Sequence, residues 1–229
     1  MKNTNEPCHQ HCFMCQNCLP EWRPAILGNR RHQVYKKGET IFKESEPVNG
    51  MFFVDSGVVK VHKQWGDKEL IVRIARQGDI VGHRGLGSDL VYPVSATALD
   101  AVTICYIDMA FFTASLKVNP GFLYELMLFF ASELKESERR MRNLAHMPAK
   151  GRLAQAIIAL QEKFGSNEQG HIALSLSKQD LASYAGTTYE TIFRMLQELS
   201  EEGLVKVDGK DITILEPGRL KELTTGELV

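Results

Sequence analysis

The residue pattern changes its period at Asn119-Pro120, and that change limits the possible folds more than any other feature. Upstream, from Arg30 to about Asp108, short β-branched or aromatic runs alternate with turn residues. The runs are Gln33-Val34-Tyr35, Thr40-Ile41-Phe42, Met51-Phe52-Phe53-Val54, Val58-Val59-Lys60-Val61, Leu70-Ile71-Val72-Arg73-Ile74 and Thr103-Ile104-Cys105-Tyr106-Ile107. Between them lie Lys37-Gly38-Glu39, Asp55-Ser56-Gly57, Gly66-Asp67 and Gln77-Gly78-Asp79. Many short strands at this spacing predict an antiparallel sandwich or barrel. Downstream the period becomes 3.6, and a helix can run without a breaker from Pro120 to about His146, roughly 40 Å at 1.5 Å per residue. Leu123, Met127, Phe130, Leu134, Ser137, Met141 and Leu144 alternate steps of four and three along it. That is a heptad seam, which pairs a helix with a copy of itself; the other reading is a helix packed on its own barrel. Beyond the midpoint, Glu133, Lys135, Glu136, Glu138, Arg139, Arg140 and Arg142 read as a solvated surface.

Met147-Pro148 ends the long helix and predicts a hinge. A further amphipathic helix, Ala149 to Phe164, leads into the next pattern. Ser177 is a good N-cap for Lys178 to Ala185, with Leu181 and Ala185 on one face. Gly186 sits at a left-handed C′ position. Thr187 or Thr188 then caps a second helix from Tyr189, with Ile192, Met195, Leu196 and Leu199 as its core stripe. Tyr189, Glu190, Phe193, Arg194 and Gln197 fall outside that stripe. Helix, short Gly-containing turn and capped helix form the pattern of a helix-turn-helix, whose second helix enters the DNA major groove. The runs Leu204 to Val207 and Asp211 to Ile214, joined through Asp208-Gly209-Lys210, predict a hairpin and hence a winged helix. Two ordinary core helices and a hairpin are the plainer alternative.

The expected domains are therefore a Cys-rich segment at 1–24, a β-barrel sensor domain at 25–118, a dimerisation helix at 119–147 and a winged helix-turn-helix at 148–229. At 229 residues, 44% of them apolar, the chain has material for two sizeable cores. No run of eighteen apolar residues occurs, and the polar start MKNTNEPCHQHC lacks a signal-like core, so a cytoplasmic protein with no membrane partner is expected. The net charge of −1 gives no hint of nucleic acid, and the segment from Pro148 onward is itself acidic. What matters for DNA is a local patch rather than that total. Cys8, Cys12, Cys15 and Cys18 crowd the first twenty residues while Cys105 stands alone. In a reducing cytosol, metal ligation or redox sensing is the better default than disulfides.

An α+β chain with β-barrel, long dimer helix, Pro hinge and winged helix-turn-helix, in that order, resembles the CRP/FNR family of bacterial transcription regulators. The resemblance runs from about Cys12 to Ile214. Its most specific pieces are Gln77-Gly78-Asp79-Ile80-Val81-Gly82 and the TTYETIFR segment beginning at Thr187. It implies a jelly-roll barrel like that of cyclic-nucleotide-binding domains and a homodimer on an inverted repeat of double-stranded DNA. RNA polymerase is the further partner it implies, and no catalysis. Family members read one G·C pair with a glutamate and an arginine four residues later, which match Glu190 and Arg194. Arginine's fork fits guanine O6 and N7, and the glutamate accepts from cytosine N4. Tyr189 and Phe193 stand where other branches carry different residues. Ser177, Thr188 and Thr191 are matched to phosphate contacts, which position without reading sequence.

The sensed signal does not carry over with the fold. Cyclic-nucleotide members hold ribose and phosphate with a glutamate after the Gly-Asp-x-x-Gly turn and an arginine before a Ser-Ala pair. Here those positions are His83 and Val94, the latter ahead of Ser95-Ala96, and Arg84 is the one cation nearby. A cyclic-AMP sensor is therefore not expected. The oxygen-sensing branch ligates a [4Fe–4S] cluster with three N-terminal cysteines and one in the barrel. Ile104-Cys105-Tyr106-Ile107 falls at the matching place, Cys8, Cys12 and Cys18 approximate the N-terminal spacing, and Cys18-Leu19-Pro20 resembles the motif's end. The gap from Cys8 to Cys12 is one residue longer than in that branch, and Cys15 is extra. Three readings stay open. One is an iron–sulfur cluster. Another is a zinc site of Cys12, Cys15 and Cys18 with Cys8, His9 or His11. The third has no metal on the cysteines, with Cys105 a core thiol; a haem, gas or small organic molecule is the alternative signal.

Two other classes remain in view. A cupin-type metalloenzyme needs clustered His and Glu in its barrel, whereas His32, His62 and His83 are scattered. A ligand-binding module without DNA contact would not need Glu190 with Arg194.

Overall fold

A computed structural model describes residues 12–225. Contacts divide the chain into two compact units, one ending at Lys135 and one beginning at Glu136. Helix α4 (Pro120–His146) contributes to both.

The first unit begins with two short helices, α1 (Phe13–Asn17) and α2 (Arg23–Asn29), with a 3₁₀ turn at Pro20–Trp22 between them. Eight strands follow: β1 (Arg30–Tyr35), β2 (Thr40–Phe42), β3 (Gly50–Ser56), β4 (Val59–Trp65), β5 (Lys68–Ala75), β6 (Ile80–Val81), β7 (Ser95–Ala98) and β8 (Val102–Asp108). Helix α3 (Met109–Val118) then precedes α4. The strands form two four-stranded antiparallel sheets, in the orders β1-β8-β3-β6 and β2-β7-β4-β5. The expected barrel is thus a jelly-roll-like pair of open sheets and not a closed barrel.

Strand β3 explains the continuous run Met51-Phe52-Phe53-Val54. All four side chains are buried, because helix α3 packs on this strand while both of its edges are paired. A strand covered on both faces has no reason to alternate polar and apolar residues. Strand β7 carries the opposite lesson. Its sequence Ser-Ala-Thr-Ala has little β-propensity, yet β2 and β4 pair with it on either side. Ala96 and Ala98 are fully enclosed, which leaves no room for the branched side chains that usually mark a strand.

The N-terminal cysteine-rich stretch carries no hydrophobic period, but from Cys12 onward it belongs to this core. Met14 is fully buried, and the Phe13 ring packs against Phe122 and Phe129 at 6.0 and 5.5 Å. Trp22 donates its indole N–H to Ser115 Oγ at 3.0 Å and stacks on Phe111. The Leu19 N–H donates to Asn119 Oδ1 at 2.8 Å. Helices of five and seven residues are too short to show a period, so only tertiary contact reveals the docking.

The second unit takes the last turns of α4, then α5 (Ala149–Phe164), α6 (Lys178–Ala185), α7 (Tyr189–Glu201), the hairpin β9 (Val205–Asp208) and β10 (Asp211–Ile214), and α8 (Pro217–Glu222). Leu153, Ile157 and Leu160 of α5, Leu181 and Ala185 of α6, and Ile192, Leu196 and Leu199 of α7 make its core. The loop before α6 joins the hairpin: Ile172 N–H donates to the Ile212 carbonyl at 2.9 Å. No helix among the described residues is long and apolar enough to cross a membrane.

Candidate functional sites

Helices α6 and α7 are set by caps that the sequence specifies. Ser177 Oγ accepts from the Asp180 N–H at 3.0 Å and starts α6. Gly186 ends it at φ +66°, a left-handed conformation that a side chain would strain. Thr188 Oγ1 accepts from the Thr191 N–H at 3.3 Å and starts α7. With Ile192, Met195, Leu196 and Leu199 turned inward, the face carrying Tyr189, Glu190, Phe193, Arg194 and Gln197 is open. Arg194 is the most exposed charge on it that enters an ion pair, 72% accessible, with Nε 3.9 Å from Glu198 Oε1 one turn on. Glu198, rather than Glu190, is therefore the carboxylate beside Arg194 in this structure. The Lys178 ammonium lies over the Phe193 ring at 5.4 Å, so this exposed aromatic is flanked by positive charge.

Sequence reasoning missed what holds the turn from behind. Arg152 of α5 donates from Nε to the Ala185 carbonyl at 3.0 Å, from Nη2 to Gly186 O at 3.2 Å and from Nη1 to Met147 O at 2.6 Å. Arg140 donates to Tyr184 O at 2.8 Å, and its guanidinium lies 4.7 Å above the Tyr184 ring. Two cations at the C-terminal carbonyls of α6 satisfy acceptors that the helix leaves bare and match its dipole. Arg140, expected as solvated surface, is thus part of the scaffold. Neither arginine could be placed there from spacing, because the carbonyls lie more than thirty residues away along the chain.

The first unit holds a second cluster. Gly82, at φ +86°, turns the chain from β6 into a 3₁₀ turn at His83–Gly85. That turn brings His83 and Arg84 against α4, where Glu133 meets them together with Arg73 of β5. Glu133 Oε2 accepts from Arg84 Nη2 at 2.8 Å, and Oε1 lies 3.3 Å from Arg73 Nε. His83 is 2% exposed, with Nε2 3.7 Å from Glu133 Oε2 and its ring edge-on to Phe129 and Phe130. Arg73 also donates to the Ile80 carbonyl at 2.6 Å and pairs with Asp79 at 3.3 Å. Burial alone would raise the Glu133 carboxyl, but His83, Arg73 and Arg84 outweigh it and hold the group at about 2. Burial, aided by the two arginines, lowers His83 from its ordinary value, so its imidazole is neutral near pH 7. Glu133, expected as solvated surface, is instead an internal ion-pair partner with 18% of its side chain accessible. Val94 is buried in the core and Ser95 Oγ accepts from the Glu44 N–H at 2.9 Å, so neither is accounted for by this cluster.

A sequence signature described as a Crp-like helix-turn-helix domain matches residues 151–223, and one described as a cyclic nucleotide-binding domain matches residues 32–119. The chain belongs to the CRP/FNR family of DNA-binding transcription regulators. Among relatives, it is 28% identical over 203 residues to the transcriptional activator protein anr of Pseudomonas aeruginosa, covering 87% of this chain and 82% of that one. It is likewise 28% identical to the fumarate and nitrate reduction regulatory protein of Escherichia coli, covering 93% and 89%. The fold matches FixK2 of Bradyrhizobium japonicum with a TM-score of 0.77 at 24% identity, covering 87% of this chain and 99% of that one. It also matches a CooA mutant of Carboxydothermus hydrogenoformans with a TM-score of 0.77 at 22% identity, covering 97% of each. Of these, the Pseudomonas aeruginosa protein is named as a transcriptional activator and the Escherichia coli protein as a regulatory protein.

The family's cysteine chemistry finds no ready ligand set here. Cys12, Cys15, Cys18 and Cys105 are all buried thiols, and Cys8 lies outside the described residues, as do His9 and His11. Among the described residues no three His, Cys, Asp or Glu side chains converge as a metal site. Burial pushes the Cys18 thiol, as packed here, up to about 11. As arranged here, the described cysteines do not fit a cluster or a zinc.

Proposed function

We propose that this CRP/FNR chain acts as a homodimer that reads an inverted repeat through α7 and is not switched by cyclic AMP. The observation that carries the reading is the open face of α7, where Arg194 and Glu190 project one turn apart beyond the Thr188 cap. Arg194 is the proposed guanine reader and Glu190 the acceptor for the paired cytosine, with Tyr189 and Phe193 beside them. Ser177, Thr188 and Thr191 are the proposed phosphate contacts. The homodimer is supported by α4, whose Met127, Leu134 and Met141 are 55, 62 and 65% exposed in the single chain. Leu123 is also open, while Phe130 is half-buried against His83 and belongs to both faces. RNA polymerase is the proposed partner of the DNA-bound dimer, and the cytoplasm its place of action.

Selection from random DNA, with the parent and with Arg194→Ala, tests the reading. The parent should choose half-sites about one helical turn apart, each with one essential G·C pair. The variant should lose about 1–3 kcal/mol and relax its choice at that pair alone. Equal stringency in the two proteins removes Arg194 from base readout.

A second reading of the sensor is supported by the likeness of Cys18-Leu19-Pro20 and Ile104-Cys105-Tyr106-Ile107 to the oxygen-sensing branch. It assigns an iron–sulfur cluster to Cys8, Cys12, Cys18 and Cys105, with Cys15 as a spare thiol. The described thiols would have to leave their packed positions to hold it. Iron and sulfide analysis of protein purified without oxygen decides this.

A further inference from the structure

The geometry points to Arg73, His83 and Arg84 as an anion-binding cradle whose resident ligand is the chain's own Glu133. An internal carboxylate, and not a diffusible effector, then ties α4 to the sheet of the first unit. The inference stands apart from DNA reading, since every group lies in the first unit.

The cradle has more donors than Glu133 uses. Only the Arg84 Nη2 bond, at 2.8 Å, is a well-formed hydrogen bond. Arg73 Nε stands at 3.3 Å and His83 Nε2 at 3.7 Å, the latter beyond hydrogen-bond reach. Arg84 Nε and both ring nitrogens of His83 are buried without a hydrogen-bond partner. Unpaired buried donors are uncommon in native proteins and mark a place where an acceptor belongs. A small oxyanion that is not tethered to α4 can turn its lone pairs toward the donors Glu133 leaves idle, Arg84 Nε and the single N–H of the neutral His83 imidazole.

Charge points the same way. Asp79 offsets part of Arg73, so two guanidinium groups face two carboxylates. Without Glu133 the cluster carries one net positive charge beside a buried imidazole, an environment that recruits an anion. The tie does not open with physiological pH. The Glu133 carboxyl is held at about 2 and His83 is lowered, so neither changes charge between pH 7 and 8. Loss of Glu133 is what opens it.

The test measures thermal unfolding and titration calorimetry of the full chain with acetate and inorganic phosphate, at ionic strength matched with chloride. The parent should show no saturable response. Glu133→Ala should start at a lower midpoint and gain about 3–6 °C at ten times the dissociation constant of acetate or phosphate. Adding Arg84→Gln to that variant should abolish the gain. Should Glu133→Ala fail to fold, Glu133→Gln keeps the shape and removes the charge, and the same comparison applies. A parent that binds acetate or phosphate as well as the variant overturns the idea that Glu133 closes the cradle. A variant that responds to neither anion overturns the cradle itself.

Discussion

Leu134→Glu is the sharpest perturbation of the proposed dimer. Leu134 is 62% exposed in the single chain, so the monomer gains little from it. Fully burying a leucine contributes about 1.5–3 kcal/mol, and the open three-fifths of this one corresponds to roughly 1–2 kcal/mol. A two-fold interface counts each residue twice, giving about 2–4 kcal/mol of association free energy from this position. At 1.4 kcal/mol per factor of ten, the dimer should weaken by about 30- to 1000-fold. A carboxylate placed opposite its own copy adds repulsion to that loss. Because the site is open in the monomer, the first unit's own stability should change by less than about 0.5 kcal/mol. Sedimentation over a concentration series reads the association, and circular dichroism checks the fold. Operator affinity should fall with dimerisation, since paired half-sites need the two-fold axis. A folded Leu134→Glu protein with an unchanged dimer dissociation constant would refute the seam. Phe130→Glu is a poorer probe, because Phe130 also packs edge-on to His83 and would disturb the cradle.

Cyclic AMP should not bind. With His83 and Val94 where the nucleotide-binding branch has a carboxylate and a guanidinium, its phosphate would be buried without its usual cation, at a cost of several kcal/mol; micromolar affinity by calorimetry contradicts this. Acid should loosen the first unit through Glu133. Its carboxyl sits at about 2 when folded against an ordinary 4.5, so its stabilisation is complete above pH 4.5 and disappears as pH falls towards 2. At 1.36 kcal/mol per unit the full shift corresponds to about 3.4 kcal/mol, which solvent screening of a partly accessible group reduces to about 1–3. Glu133→Gln should lose that amount at pH 7 and flatten the acid limb of the stability curve, and an unchanged limb refutes it. For the cysteines, a cluster requires brown protein with about four irons per chain, lost in Cys105→Ser. Colourless, iron-free protein from anaerobic purification removes the second reading of the sensor.

Where local rules decide the structure, the sequence was readable. The caps Ser177 and Thr188, the left-handed Gly186 and the Asp208-Gly209 turn act over three or four residues, and each element they bound lies where its pattern placed it. Helix α4 likewise begins at Pro120 and ends at His146. What the pattern could not show was structure selected by distant contacts. Strand β7 has the composition of a loop and is a strand because neighbours pair with it. Helix α3 was hidden inside the expected barrel, although Asp108 accepting from the Phe111 N–H caps it in the ordinary way. Alternation along strands cannot distinguish two facing sheets from one closed sheet, which is why the pattern admitted both a sandwich and a barrel.

The charged residues of α4 show the same division at the functional sites. Glu133 and Arg140 sit among Lys135, Glu136, Glu138, Arg139 and Arg142, and nothing in their spacing separates them from a solvated face. One is nevertheless held by Arg73 and Arg84, and the other holds the end of α6. Arg152 is spent in the same way on Ala185, Gly186 and Met147. Two arginines that a charge count would assign to DNA therefore serve the scaffold of the helix-turn-helix. This leaves the proposed reading face with few cations, chiefly Lys178 and Arg194, which agrees with the acidic balance of the segment after Pro148. When few charges meet the phosphates, the non-specific part of the affinity is small. On the proposed reading, discrimination would fall to the guanine contact of Arg194, with the hydroxyls fixing only the register of α7, so specificity would depend more on geometry than on charge.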